Sequence, residues 1–88
     1  MKRGLKIDPR DNVGIVLEHV EPGDEVAFGN EIVTARQAID LPHKLALRAI
    51  EEGESIFKYG CPIGYATAPI ARGDHVHVHN LDSEKLMK

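Results

Sequence analysis

Val20-Glu21-Pro22-Gly23-Asp24-Glu25-Val26 is one of three stretches of the same form: an apolar residue, two residues of any kind, a glycine, an acid, any residue and a β-branched residue. Ile50-Glu51-Glu52-Gly53-Glu54-Ser55-Ile56 repeats it, and so does Ile70-Ala71-Arg72-Gly73-Asp74-His75-Val76. The physical content is a strand end, a turn whose glycine can take positive φ, and a new strand. The repeats begin at residues 20, 50 and 70, at spacings too irregular for a solenoid. They mark three similar corners in an all-β domain.

The rest of the chain agrees with short strands. Eight Gly and five Pro cut it into runs of a few residues, too short for helices. From Asn12 to Val20 the alternation sends Val13, Ile15 and Leu17 one way and Gly14, Val16 and Glu18 the other. Glu25–Phe28 and Glu31–Thr34 flank Gly29-Asn30 as a hairpin. Arg36–Asp40 reads as a single helical turn, so one or two helical turns are the most this chain should hold. Lys44–Ile50 fits either a helix face or a strand face, and the repeat favours the extended form. Gly60 and Pro62 separate Ser55–Tyr59 from Ile63–Thr67, and His75–Asn80 reads as the last strand. Residues 1–81 then form one domain, with a polar tail at 82–88.

Composition narrows the function. The 88 residues allow one domain with a small core, and with two Phe, two Tyr and no Trp that core rests on Val, Ile, Leu and Ala. A net charge of -3 argues against a nucleic-acid partner, which would need clustered Lys and Arg. No apolar run approaches the roughly 18 residues of a membrane span, and the basic start Met1-Lys2-Arg3-Gly4 lacks the apolar stretch of a signal peptide. One cysteine, Cys61, offers no internal disulfide, so the expected location is cytoplasmic. Between Gly60 and Pro62 it reads as a small apolar filler.

The residues most able to carry chemistry are in His75-Val76-His77-Val78-His79-Asn80. Alternation turns Val76 and Val78 to the core and His75, His77 and His79 to the other face, neighbours on that face being about 6.6 Å apart. Two imidazoles such as His77 and His79 can meet on one metal ion; a third ligand would come from His43, an acid or another chain. The same face, with Asn80, suits an anionic or hydroxylated substrate, and a polar strand surface without function is the plain alternative. Lys58-Tyr59-Gly60 could hold a carboxylate and a hydroxyl. Lys44 and Arg48 share a strand face open to an anion, His19 sits at a strand end, and Glu51, Glu52 and Glu54 are solvated turn charges. There is no phosphate loop, no nucleophile elbow and no paired-cysteine zinc motif.

Asp11-Asn12-Val13, His43-Lys44-Leu45-Ala46-Leu47, Lys58-Tyr59-Gly60-Cys61-Pro62-Ile63-Gly64-Tyr65-Ala66 and Gly73-Asp74-His75-Val76-His77-Val78-His79-Asn80-Leu81 together resemble the amino-terminal domain of altronate dehydratases. Similar domains begin galactarate dehydratases and other sugar-acid hydro-lyases. The resemblance covers about residues 11 to 81. It implies an SAF-type β-clip, a fold shared with type III antifreeze proteins and flagellar basal-body chaperones. It also implies loss of water from an aldonate to give a 2-keto-3-deoxy acid, with substrate contacts at Lys58, Tyr59, His75, His77, His79 and Asn80. A divalent metal of the iron or manganese type would be held mainly by a large partner subunit, since whole enzymes of this family continue for several hundred residues. The chain would be that enzyme's separately encoded small subunit or an excised domain; homo-oligomerisation stays open. A sugar-acid- or metal-binding module without catalysis, or a plain assembly domain, is the competing expectation.

Overall fold

Each of the three glycine corners is the same turn. Gly23, Gly53 and Gly73 have φ of 93°, 86° and 93°, the left-handed value that the third residue of a type II turn requires. The turns close through Asp24 N–H to Glu21 O at 3.0 Å, Glu54 N–H to Glu51 O at 2.9 Å and Asp74 N–H to Ala71 O at 3.0 Å. The recurring acid then locks its own turn: the carboxylates of Asp24, Glu54 and Asp74 accept from the N–H of Glu21, Glu51 and Ala71 at 2.9, 2.9 and 2.8 Å. Glu54 is therefore more than a solvated turn charge. Every corner is also clasped to a buried alanine by two backbone bonds. The glycine N–H donates to Ala35, Ala66 or Ala46 at 2.8, 2.7 and 2.8 Å, and the alanine N–H returns a bond to the acid's carbonyl.

A computed structural model describes residues 1–83. Nine strands run β1 (Lys2–Leu5), β2 (Val13–Val16), β3 (Glu25–Phe28), β4 (Glu31–Thr34), β5 (Lys44–Ala46), β6 (Ser55–Lys58), β7 (Cys61–Ala66), β8 (His75–Val76) and β9 (Leu81–Asp82). They form a six-stranded sheet in the order β4-β3-β1-β2-β5-β8 and a three-stranded sheet in the order β6-β7-β9. All pairings are antiparallel except β1 with β3. The molecule is all-β, as expected of a β-clip. Among the described residues there is no helix, and none long and apolar enough to cross a membrane.

Two apolar clusters flank the larger sheet. Val16, Val20, Val26, Phe28, Val33, Ile39, Leu45 and Leu47 belong to one; Val13, Ala46, Ile50, Ile56, Ala66, Ile70 and Val76 belong to the other. β2 and β5 contribute to both, because neighbouring residues point to opposite faces and both faces are covered. This corrects the simple alternation expected for Asn12–Val20: all four residues of β2 are buried and Leu17 lies exposed beyond its end. Gly14 has a local reason. The Phe28 ring lies over Gly14 and Gly4, in the space a Cβ at either would take. Gly14→Ala should force that ring aside and cost about 1–3 kcal/mol, read as a lower urea midpoint at unchanged m-value.

Several expectations need correction. Arg36–Asp40 is a bend ending in a bridge between Ile39 and Val20, not a helical turn. The strand begun at His75 stops at Val76, and Val78 is 79% exposed instead of buried. The Lys44 strand stops at Ala46, leaving Arg48 exposed. Cys61 is exposed, and Pro62 lies within β7, opposite the bulge at Ile56/Phe57. β1 and β9 carried no recognised sequence signal. Of the expected tail at 82–88, Asp82 pairs with Tyr65, and residues 84–88 lie outside the described residues.

Candidate functional site

β5 and β8 bring the histidines together. Their register pairs Lys44 with Val76 and Leu45 with His75, so one further step sets His43 opposite His77. His43, His75 and His77 thus share one face, while Val76 is fully buried on the other. Asn80 ends the strand. Its Oδ1 accepts the His77 N–H at 2.9 Å, its Nδ2 donates to His75 O at 2.9 Å, and Asn80 N–H returns to His77 O at 3.0 Å. The resulting turn folds His77 back over His43 and lifts Val78 and His79 into solvent.

The rings pack closely. His43 and His77 stack with centroids 4.2 Å apart, His43 and His75 with centroids 5.1 Å apart, and His79 tilts against His75 at 5.2 Å. His43 Nδ1 and His75 Nε2 are 3.0 Å apart and share a proton. Each of His43, His75 and His77 offers a ring nitrogen within 4.8 Å of the other two. Burial holds the pKa of His75 below the ordinary imidazole value, and His79, His43, His77 and Lys44 add to the effect. His77 is lowered by the same causes, burial first and then His43, Lys44 and His79. His75 and His77 therefore give up a proton more readily than a free imidazole, which favours the neutral form that a ligand needs.

Lys44 pairs with Val76 across β5 and β8, so it leaves the strand on the face opposite the histidines. Burial pushes the half-buried Lys44 below the usual ammonium range, and repulsion from Lys58 adds to it. Among the described residues, no ion pair involves Lys44 or Lys58. Lys44 and Lys58 are thus two neighbouring cations without an ion-pair partner among the described residues, on a chain of net charge -3.

Lys58 stands at the tip of the β6–β7 hairpin, whose two turn residues, Tyr59 and Gly60, have φ of 58° and 76°. Such a turn suits hairpin twist but is unusual for tyrosine. Asp11 holds it in place: its carboxylate accepts from Gly60 N–H at 2.8 Å and from Asp8 N–H at 3.2 Å. Asn12 ties the same hairpin by accepting from Phe57 N–H at 2.8 Å and donating to Ser55 O at 2.9 Å. The Lys58 ammonium lies 5.2 Å from the centre of the Tyr59 ring.

The family model for the altronate/galactarate dehydratase SAF domain matches residues 2–84. The chain belongs to this family. It is 49% identical over 76 residues to altronate dehydratase of Escherichia coli, covering 86% of this chain and 15% of that protein. To altronate dehydratase of Bacillus subtilis it is 40% identical over 80 residues, covering 91% and 16%. The SAF domain is also 42% identical over 85 residues to a (2R)-sulfolactate sulfo-lyase subunit alpha of Chromohalobacter salexigens, covering 89% of this chain and 90% of that subunit. It spans a small fraction of the two dehydratases and nearly all of the sulfo-lyase subunit.

Within this SAF domain the structure groups His75, His77 and His79 as the sequence suggested and adds His43 as their stacking partner. The third nitrogen near His75 and His77 belongs to His43, not His79. Asn80 has both polar side-chain atoms engaged by backbone. Arg48 leaves Lys44 and reaches toward Asp11 O. His19 lies apart, bonded to Asp40 and Glu21. Sequence reasoning assigned no role to Asp11 and Asn12; two adjacent polar residues entering a strand of buried apolar ones were the available signal.

Proposed function

We propose that this chain is the small subunit of a two-chain lyase of the altronate dehydratase type, and that its histidine cluster and the nearby lysines form part of the active site. The observation that carries the reading is the packed group of His43, His75, His77 and His79, on a chain whose Lys44 and Lys58 have no ion-pair partner among the described residues. The relative of matching length supports the two-chain arrangement, because its name is that of a subunit. Lys58 and Lys44 take the C1 carboxylate of a 2-hydroxy acid, a charge-assisted contact. Tyr59 offers a hydroxyl to the sugar chain, and His79, the most solvent-facing imidazole, lies where it can pass a proton to a departing C3 hydroxyl. Asn80 acts by holding the turn that carries His77 and His79.

A divalent metal bound in the assembled enzyme would offset the charge that develops on the substrate carboxylate while a base of the large chain takes the C2 proton. On this chain only His43, His75 and His77 converge as donors among the described residues. Three neutral nitrogens suit iron(II) better than manganese, which favours oxygen ligands.

One observation favours a second substrate. The match to a sulfo-lyase subunit along nearly its whole length suits a lyase that expels sulfite rather than water from C3 of a 2-hydroxy acid. Both substrates present the same carboxylate to the same lysines.

The test is co-expression with a large chain encoded beside it, followed by elimination assays on altronate, galactarate and sulfolactate. Lys58→Ala should raise KM at least about tenfold while leaving assembly intact, as loss of a charged contact does. A complex that forms but is inactive on every 2-hydroxy acid, or activity of the large chain without this one, would overturn the reading.

A further inference from the structure

We propose that His43, His75 and His77 form a binding site on this chain itself for one divalent transition-metal ion of the zinc(II)–iron(II) class. The inference deepens the lyase reading, which offers these same donors to the metal, but its test needs no lyase activity. The free chain suffices to test it, so either idea can fail while the other stands.

The argument begins with donors. Ring nitrogens of these three histidines all lie within 4.8 Å of one another. A tetrahedral ion with metal–nitrogen bonds of about 2.0–2.1 Å spaces its ligands about 3.4 Å apart. Each nitrogen therefore needs to move by about 1 Å or less. The pair His43 Nδ1 and His75 Nε2, at 3.0 Å, already shares one proton, and an ion would take that proton's place. The rings now lie within 5° to 14° of parallel. An ion must lie in the plane of each ring it binds, so binding turns at least two rings about their Cβ–Cγ bonds. Their partial exposure permits this.

The second consideration is what holds the donors. His75 stands on β8 and His43 directly precedes its partner β5, with His43 N–H donating to Asp40 O at 2.7 Å and Val16 N–H donating to His43 O at 3.0 Å. His75 N–H donates to Gln37 Oε1 at 2.7 Å, and Asn80 fixes the main chain at His77. The backbones are preset, and only χ angles change. No carboxylate joins the group, which disfavours magnesium and calcium. Three donors leave a fourth tetrahedral position for a carboxylate oxygen or water.

The untagged full chain should be titrated with zinc(II) by calorimetry and with cobalt(II) by visible absorption. We expect one ion per chain, a dissociation constant tighter than about 100 µM, and a tetrahedral cobalt spectrum without a thiolate band. His43→Ala and His77→Ala should weaken binding at least about 100-fold, because even outer-shell partners cost 10–100-fold. His79→Ala and Cys61→Ser should leave it unchanged, and magnesium should not bind. In the unaltered chain, paramagnetic cobalt should broaden the imidazole resonances of His43, His75 and His77 and spare those of His19, a reading that survives if a variant misfolds. Absence of binding, binding that persists in a folded His43→Ala, dependence on Cys61 or His79, or broadening centred on His19 would each overturn the proposal.

Discussion

Asp11→Ala is expected to cost about 3 kcal/mol or more, a large share of the 5–10 kcal/mol that a chain of this size commands. The carboxylate is buried, 1% exposed, and its removal leaves the amides of Gly60, Asp8 and Ile7 without their acceptor. Those amides keep two segments in place: the Ile7–Arg10 loop and the hairpin tip that carries Lys58. Burial alone would raise the Asp11 carboxyl, but the amides of Gly60, Asp8, Tyr59 and Ile7 outweigh it and hold it below the ordinary range. A depressed native pKa contributes stability that is fully present above the unfolded value near pH 4 and lost as pH falls through the native one. Urea unfolding at pH 7 should show the loss in the variant, and acid titration should show a shallower decline than the parent's. Hydrogen exchange at Gly60 should speed up first. A variant with parental stability at pH 7 would show that water can replace the carboxylate at these amides.

The second large effect contrasts two valines that a strict alternation would treat alike. Val76→Asp should unfold the domain, because Val76 has no exposed surface and lies in the cluster of Val13, Ile50, Ile56 and Ile70. An unpaired carboxylate there costs several kcal/mol beyond the lost apolar burial of about 1.5–3 kcal/mol. Val78→Asp should change stability by no more than about 0.5 kcal/mol, since Val78 is 79% exposed. Circular dichroism melts of the two variants decide it. Equal loss in both would mean that the strand runs on past Val76.

Much of the fold was legible because its corners are written locally. Glycine, acid and β-branched residue recur at fixed offsets, and each has a job within four residues of the glycine. The hairpin of Glu25–Phe28 and Glu31–Thr34 was read with its observed bounds for the same reason. β1 was invisible because Lys2-Arg3-Gly4-Leu5 has no apolar alternation; Gly4 is there to admit the Phe28 ring. The His75 strand was read too long because His-Val-His-Val continues the pattern past the point where Asn80 turns the chain. The site was legible in part. Its three alternating histidines stood out, whereas His43 was only one of several possible third ligands, since its partner lies 32 positions away. Asp11 escaped for the same reason, its Gly60 bond spanning 49 positions.

The three corners have one further consequence. Because each is held by backbone bonds, its own acid and a buried alanine, the second and fourth residues after the glycine are not what closes the turn. In the third corner those residues are His75 and His77. In the first they are Glu25 and Ala27, and in the second Ser55 and Phe57, with Glu25 and Ser55 both open to solvent. The first corner repeats the register of the third, while the bulge at Ile56/Phe57 shifts the second; the fold therefore owns two matching sockets and has furnished one with histidines. Transplanting a His-x-His pair into Glu25 and Ala27 of the first corner, facing a histidine at Ile32 on β4, would ask whether chemistry on this scaffold is portable from socket to socket.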